Sequence, residues 1–273
     1  MYRDYFRLHE DPFNITPDPR YLYLTNQHRE ALNHLLFGIR QRKGFICLTG
    51  EVGTGKTTLC RALLRQLDEP RYHTALILNP MLTETQLLRA IVDEFGIETK
   101  RRDRLGYLRL LNDFLLRINS DGQDAVLIVD ETQDMSTKCL ELVRLLSNLE
   151  TDSQKLVQIC LVGQPELREK LAKPALRQLA QRITVRYHLD AMTPEDTAAY
   201  LNHRLSVARG NGEQGVVEFD GGAVKEIFRF SGGTPRLINA IGDKALLAGY
   251  VYRTGRINRR IVRLAAQELK EAG

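Results

Sequence analysis

Residues 50–57 read Gly50-Glu51-Val52-Gly53-Thr54-Gly55-Lys56-Thr57, and this octapeptide dictates what must stand on either side of it. Its three glycines remove side-chain bulk. The backbone can then curl tightly and aim several N–H groups into one concavity, a cradle for anionic oxygens. The cradle works when a strand delivers the chain to it and a helix leaves it, with the free N–H groups and positive dipole end of that helix facing the anion. Both flanks are legible. Phe45-Ile46-Cys47-Leu48-Thr49 is a short apolar run suited to a buried parallel strand. From Thr58 to Leu67 the leucines fall at helical spacing, and Pro70 stops the pattern. In such a strand–loop–helix unit Lys56 reaches the β- and γ-phosphates of a nucleotide and the Thr57 hydroxyl ligates Mg²⁺. The expected nucleotide-binding set is Gly50, Glu51, Val52, Gly53, Thr54, Gly55, Lys56, Thr57 and Thr58. Average glycine usage of about 7% makes a chance match to this spacing rare.

A second element answers the first. Ala125-Val126-Leu127-Ile128-Val129 reads as a strand buried on both faces, and it runs straight into Asp130-Glu131. Two carboxylates at the C-terminal end of a buried strand must be hydrated, paired or metal-bound. That end is also where open parallel α/β sheets bind their ligands. Asp130 is expected to hold Mg²⁺ through its water shell, and Glu131 to orient and deprotonate an attacking water. The plainer alternative is an acid pair at a surface turn. A further strand, 156–164, ends in the amide of Gln164, which lies beside the γ-phosphate if its strand neighbours the phosphate-loop strand.

The rest of the α/β pattern is regular. A strand fits 74–78, and Thr83-x-x-Gln86 is a capping box opening a helix that ends at Gly96. Helices fit 105–118 and 136–148, and Asp121-Gly122 makes a turn. Short helices at 166–171 and 175–181 precede a last strand, 183–188. The composition changes at Asp190. Thr193-Pro194-Glu195-Asp196 starts a helix with a capping threonine, proline at the first position and acids in the first turn. A flexible loop is expected over 210–215 and helix from Phe219 to Ser231-Gly232-Gly233. Thr234-Pro235-Arg236 caps the next helix, and a final helix starts near Asn258. No strand pattern recurs after 190. The reading is therefore a core over 1–190 and an all-helical module of about four helices over 191–273.

Composition narrows the class. Hydrophobic content of 43% and charged content of 27% describe an ordinary globular protein. No apolar run approaches the ~20 residues that span a bilayer, and the N-terminus lacks a signal core, so the cytoplasm is the expected compartment. The four cysteines show no metal or redox spacing and read as small buried hydrophobes. The net charge of +5 is unevenly placed. From Lys225 to Gly273 there are ten Lys/Arg and four Asp/Glu, a net of +6, which leaves −1 for the remainder. A basic C-terminal module faces nucleic acid or anionic lipid, or is simply a solvated helical surface.

Taken together, the phosphate loop, the acid pair, a polar strand-end residue, an arginine before the last strand and a helical module with Gly-Gly-Thr-Pro-Arg resemble the AAA+ ATPases. More narrowly, the chain resembles the ATPase domains of the general secretion pathway protein A family. That likeness rests on Pro12-Phe13-Asn14-Ile15-Thr16-Pro17-Asp18-Pro19-Arg20-Tyr21-Leu22-Tyr23, on Thr25-x-x-His28-Arg29-Glu30-Ala31-Leu32 and on Leu161-Val162-Gly163-Gln164-Pro165-Glu166-Leu167.

The resemblance implies an α/β P-loop core with a five-stranded parallel sheet and a small all-helical lid. It also implies ATP with Mg²⁺ as cofactors and nucleotide-dependent homo-oligomers. By resemblance, Arg182 takes the arginine-finger place toward a neighbour's γ-phosphate, and Arg236 takes the place of the lid's sensor arginine at the nucleotide. Gln164 takes the first sensor's place, where Asn or Thr is more usual. Tyr23, Thr25 and His28 are candidates for the adenine pocket, with His28 expected on a helix surface. In that family a membrane span and a periplasmic peptidoglycan-binding region usually follow the ATPase domain, and neither lies in these 273 residues. An excised domain at the inner face of the membrane and a short soluble relative both fit.

The leading function is an ATP-hydrolysing switch that helps assemble a secretion apparatus. The alternative is a DNA-binding ATPase of the transposition-regulator kind, tracking phosphates with the basic C-terminal half. A small-molecule kinase is opposed by the adjacent acids and the helical lid. A non-hydrolysing module is opposed by intact Lys56, Thr57, Asp130 and Glu131.

Overall fold

The computed structural model describes residues 1–14, 18–68, 70–151, 154–210 and 216–271. Along the chain lie α1 (Tyr2–Phe6), α2 (Asn26–Arg40), β1 (Phe45–Gly50), α3 (Lys56–Gln66), β2 (Tyr72–Ile77), α4 (Glu84–Glu94), α5 (Arg104–Ser120) and β3 (Asp124–Val129). They are followed by α6 (Thr137–Leu146), β4 (Val157–Gly163), α7 (Glu166–Leu171), α8 (Arg177–Arg182) and β5 (Ile183–Leu189). Then come α9 (Pro194–Arg209), β6 (Glu218–Phe219), α10 (Gly221–Ser231), α11 (Pro235–Val251), β7 (Arg256–Ile257) and α12 (Arg259–Glu271). Contacts group the chain into two compact units. One holds 1–25, 52–55 and 190–273; the other holds 26–51 and 56–189.

The second of these units is a parallel five-stranded sheet in the order β2-β3-β4-β1-β5. Residue choice follows position. The inner strands β1, β3 and β4 are buried at every residue, matching their mainly apolar runs. The outer strands β2 and β5 are only partly buried, β5 fully so only at its two end residues. β4 pairs with β1, with Thr49 opposite Gly163, and with β3, with Val129 opposite Leu161. This register brings the ends of the phosphate-loop strand, the acid-pair strand and the Gln164 strand to one edge of the sheet.

The helices start where their caps say. The Thr83 and Gln86 side chains reciprocate across the first turn of α4, and Ser136 Oγ accepts from Cys139 N at 3.1 Å to open α6. All four cysteines are buried and free. Burial pushes the thiols of Cys47 and Cys160 up to about 11 and about 12, so both stay protonated and inert.

The other unit is mainly helical, α9 to α12. It carries one feature that no sequence pattern announces, a two-residue parallel ladder between β6 and β7. Residues 1–25 group with this unit, whereas the sequence reading attaches them to the α/β core. Phe6, Leu8, Phe13 and Tyr21 are buried in the same apolar cluster as Leu201, Ile227, Ile238 and Leu246. Thr193 and Asp196 form the expected capping box of α9. Thr234 sits at the N-cap position of α11, but its hydroxyl makes no capping bond; its carbonyl accepts from Leu237 N and Ile238 N instead. Of the loop expected over 210–215, residues 211–215 lie outside the described residues, as do Ile15, Thr16 and Pro17 of the N-terminal signature.

Candidate functional site: a phosphate loop facing an acid pair

The loop after β1 is built for close approach. Gly53 and Gly55 adopt φ of +77° and +103°. A Cβ at Gly53 would stand 2.9 Å from Arg236 Cβ and 3.0 Å from Thr234 Cγ2. Only glycine fits there, and the N-terminal turn of α11, carrying Arg236, lies directly against this part of the loop. Thr54 and Lys56 are buried. Lys56 Nζ donates to the carbonyls of Gly50 at 2.7 Å and Glu51 at 2.8 Å. Burial lowers the Lys56 pKa, and the charges of Glu131, Asp130 and Glu51 oppose that shift.

The next residue reaches the other strand. Thr57 Oγ1 donates to Asp130 Oδ2 at 2.5 Å, and Glu131 N donates to Asp130 Oδ1 at 2.9 Å. Asp130 is 1% exposed. Burial raises its pKa, against the hydrogen bonds from Thr57 and Glu131 and the charge of Lys56. Among the described residues no group of three or more His, Cys, Asp or Glu could hold a metal ion. Mg²⁺ asks for less than that: one or two protein oxygens, with substrate phosphates and water completing the shell. A hydroxyl and a buried carboxylate already in contact fit that demand, and Thr57 and Asp130 are the residues that would hold it.

Glu131 is the strained member. It sits at φ +50° and ψ +37°, a left-handed conformation that costs a non-glycine residue roughly 1 kcal/mol and persists where the surroundings enforce it. Its Oε2 accepts from Gln133 Nε2 at 2.7 Å and from Gln164 Nε2 at 3.2 Å. Gln164 thus meets Glu131 at the sheet edge, as neighbouring strands require. Two members of the site carry no motif in the sequence: Gln133, and Lys170, whose Nζ donates to the carbonyls of Gln133 at 2.7 Å and of Met135. The available signal was a polar residue two places beyond the acid pair, easily taken for surface.

The remaining candidates fall elsewhere. Arg182 closes α8, and its Nη1 donates to Ser147 Oγ at 2.9 Å, to Asn148 Oδ1 and to the Arg144 carbonyl at 3.4 Å. It is tied to the C-terminal end of α6 and not to the phosphate loop. Tyr23 packs its ring on Tyr200 and His203, while Thr25 is buried. His28 is 4% exposed on α2, not on the helix surface where the sequence reading puts it. In the basic C-terminal segment, three guanidinium groups, of Arg229, Arg259 and Arg263, converge on buried Glu226 at 2.5–3.1 Å. Burial alone would raise the Glu226 carboxyl; the bonds from Arg263, Arg229 and Arg259 prevail and hold it at about 2.

Comparison with known proteins agrees with this geometry. The model of an AAA domain family matches residues 39–171. General secretion pathway protein A of Aeromonas hydrophila is 47% identical over 272 residues, covering 98% of this chain and 48% of that protein. The chain therefore spans about half the length of this curated relative. The fold matches Cdc6p from Pyrobaculum aerophilum with a TM-score of 0.73, at 18% identity over 96% of this chain and 71% of that one. It matches Aeropyrum pernix ORC2, solved with ADPNP and ADP, with a TM-score of 0.65, at 18% identity over 95% and 71%. Thermotoga maritima RuvB, a Holliday junction branch migration motor, gives 0.58 at 22% identity over 88% and 69%. No helix among the described residues is long and apolar enough to cross a membrane. With a phosphate loop, an acid pair and a polar strand end on one edge of a five-stranded parallel sheet, the chain has the AAA+ ATPase fold and resembles general secretion pathway protein A over nearly its whole length.

Proposed function

We propose that this chain is a Mg²⁺-dependent ATPase switch whose nucleotide state governs self-assembly and, through it, the assembly of a secretion apparatus at the inner face of the cytoplasmic membrane. The observation that carries the chemistry is the 2.5 Å contact between Thr57 and Asp130, beside the buried Lys56. Bound there, Mg²⁺ would neutralise charge on the phosphate oxygens. Lys56 binds the β- and γ-phosphates, and the loop N–H groups surround them. Glu131 takes a proton from water as the water oxygen attacks the γ-phosphorus and ADP leaves. Gln164 orients that water, and Arg236 adds positive charge at the nucleotide. Arg182 acts on the γ-phosphate of a neighbouring copy after leaving its Ser147 anchor. Support for the secretion setting is the 47% identity to general secretion pathway protein A.

Two measurements test this reading. Phosphate release from ATP is followed with Mg²⁺ and with excess chelator; release that survives chelation removes the metal role. Sedimentation with a non-hydrolysable ATP analogue should give a higher assembly than nucleotide-free protein. A strictly monomeric species at high concentration overturns the switch. The DNA-binding alternative is weakened by Glu226, which engages three of the ten cations counted from Lys225 onward. Salt-sensitive binding of duplex DNA in the micromolar range would restore it.

A further inference from the structure

We infer that Gln133 is a positioning residue for hydrolysis, a clamp that holds the Glu131 carboxylate to the end of β4 and passes the state of Gln164 to it. The inference rests on Glu131 being the general base.

Gln133 uses both ends of its amide. Nε2 donates to Glu131 Oε2 at 2.7 Å, and Oε1 accepts from the backbone N of Gln164 at 3.0 Å. One side chain therefore joins the acid after β3 to the residue after β4. Gln164 closes the ring, because its own Nε2 donates to the same Glu131 oxygen at 3.2 Å. A shift of the backbone at 164 moves Gln133 Oε1, and with it the donor that holds Glu131. Glu131 Oε1 accepts from no protein donor among the described residues, so it is the oxygen left to take a proton from water.

The clamp is itself held. Lys170 Nζ donates to the carbonyls of Gln133 and Met135, fixing the turn that carries the glutamine. Burial lowers the Lys170 pKa. Gly163 makes the room: a Cβ there would lie 2.8 Å from Gln133 Oε1. The left-handed backbone of Glu131 places its side chain within reach of both amides. A glutamine with an unimportant exposed tail would need none of these arrangements.

The test uses Gln133→Ala and Gln133→Glu in the full chain, with steady-state ATP hydrolysis at one pH. Gln133→Ala should lower kcat roughly 10- to 100-fold, the usual cost of a misplaced catalytic group, with KM changed less than about twofold. Gln133→Glu keeps the acceptor for Gln164 N but sets a second carboxylate beside Glu131. With the donor to Glu131 lost, its kcat should stay as low as that of Gln133→Ala, again with KM little changed. In a Glu131→Gln background, Gln133→Ala should cause no further loss, because it acts through the missing base. Wild-type kcat in either Gln133 variant, or additive losses in the double variant, overturns the inference. If Glu131→Gln alone hydrolyses ATP normally, the base assignment fails instead, which separates the two failures.

Discussion

Thr57 Oγ1 donates to Asp130 Oδ2 across 2.5 Å, joining residues 73 positions apart that follow two strands, β1 and β3, which do not pair with each other. β4 lies between those strands in the sheet, so the contact draws three strand ends into one site. A hydroxyl and a carboxylate so close could ligate one cation together, and Lys56 stands one residue from Thr57.

Lys56→Ala should lose tight ATP binding. Charge-assisted hydrogen bonds contribute about 1.5–3 kcal/mol each, so affinity should fall roughly 10- to 100-fold. Titration with a fluorescent ATP analogue measures it, and wild-type affinity would move the phosphate site elsewhere.

Glu131→Gln should bind ATP with Mg²⁺ and hydrolyse it slowly. The amide keeps the shape but cannot accept the proton, and general bases contribute roughly 10²- to 10⁴-fold. Single-turnover hydrolysis is the measurement; a rate within a few-fold of wild type takes the role of base away from Glu131.

Arg182→Ala should bind ATP normally and turn it over roughly 10³-fold or more slowly, as loss of an arginine finger does. Because Arg182 also ties α8 to the end of α6, circular dichroism must first show the variant folded. Mixing it with Glu131→Gln subunits creates interfaces that pair an intact Arg182 with an intact Glu131, and activity should partly return. No recovery in a confirmed mixed assembly points to a finger acting within its own subunit, or to Arg177.

Glu226→Gln should destabilise the helical unit at neutral pH, by on the order of 5 °C in Tm, since three arginines lose their shared carboxylate. The folded pKa, about 2, lies below the ordinary 4.5. The carboxylate's stabilisation is therefore complete above about pH 4.5 and is lost as pH falls through 2. Melting curves of both proteins should differ at pH 7 and converge toward pH 2; a constant gap refutes the cluster's ionic character.

Gly232 and Gly233 should differ sharply on replacement by alanine. Gly232 closes α10 at φ +57° with nothing within 4 Å, so alanine there costs only backbone strain, about 1 kcal/mol. At Gly233, φ +76°, a Cβ would lie 2.0 Å from the Met192 carbonyl oxygen, and the Met192 N to Gly233 O bond would be forced apart. Thermal melts should show Gly233→Ala losing several times more stability; equal losses would contradict this packing.

Much of the molecule could be read from local pattern. Mainly apolar runs mark β1, β3 and β4 because strands buried on both faces take few polar residues, and those they take, such as Gln158, are hydrogen-bonded. The spacing of Gly50, Gly53 and Gly55 ahead of Lys56 marks the phosphate loop because a tight backbone wrap needs glycine at the first three places and the anion needs a cation at the fourth. Threonine and serine caps mark α4, α6 and α9 because helix ends must satisfy their own N–H groups.

What local pattern left open is everything that depends on which segments become neighbours. Strand order alone brought Gln164 to Glu131, and only the folded turn after β3 showed that Gln133 links them. Residues 1–25 carry apolar side chains that fit either layer, and packing against α9–α11 decided where they lie. The basic segment from Lys225 reads by count as a surface for anions. In three dimensions a single buried carboxylate, Glu226, gathers three of its arginines, because charge is counted along the chain but neutralised in space.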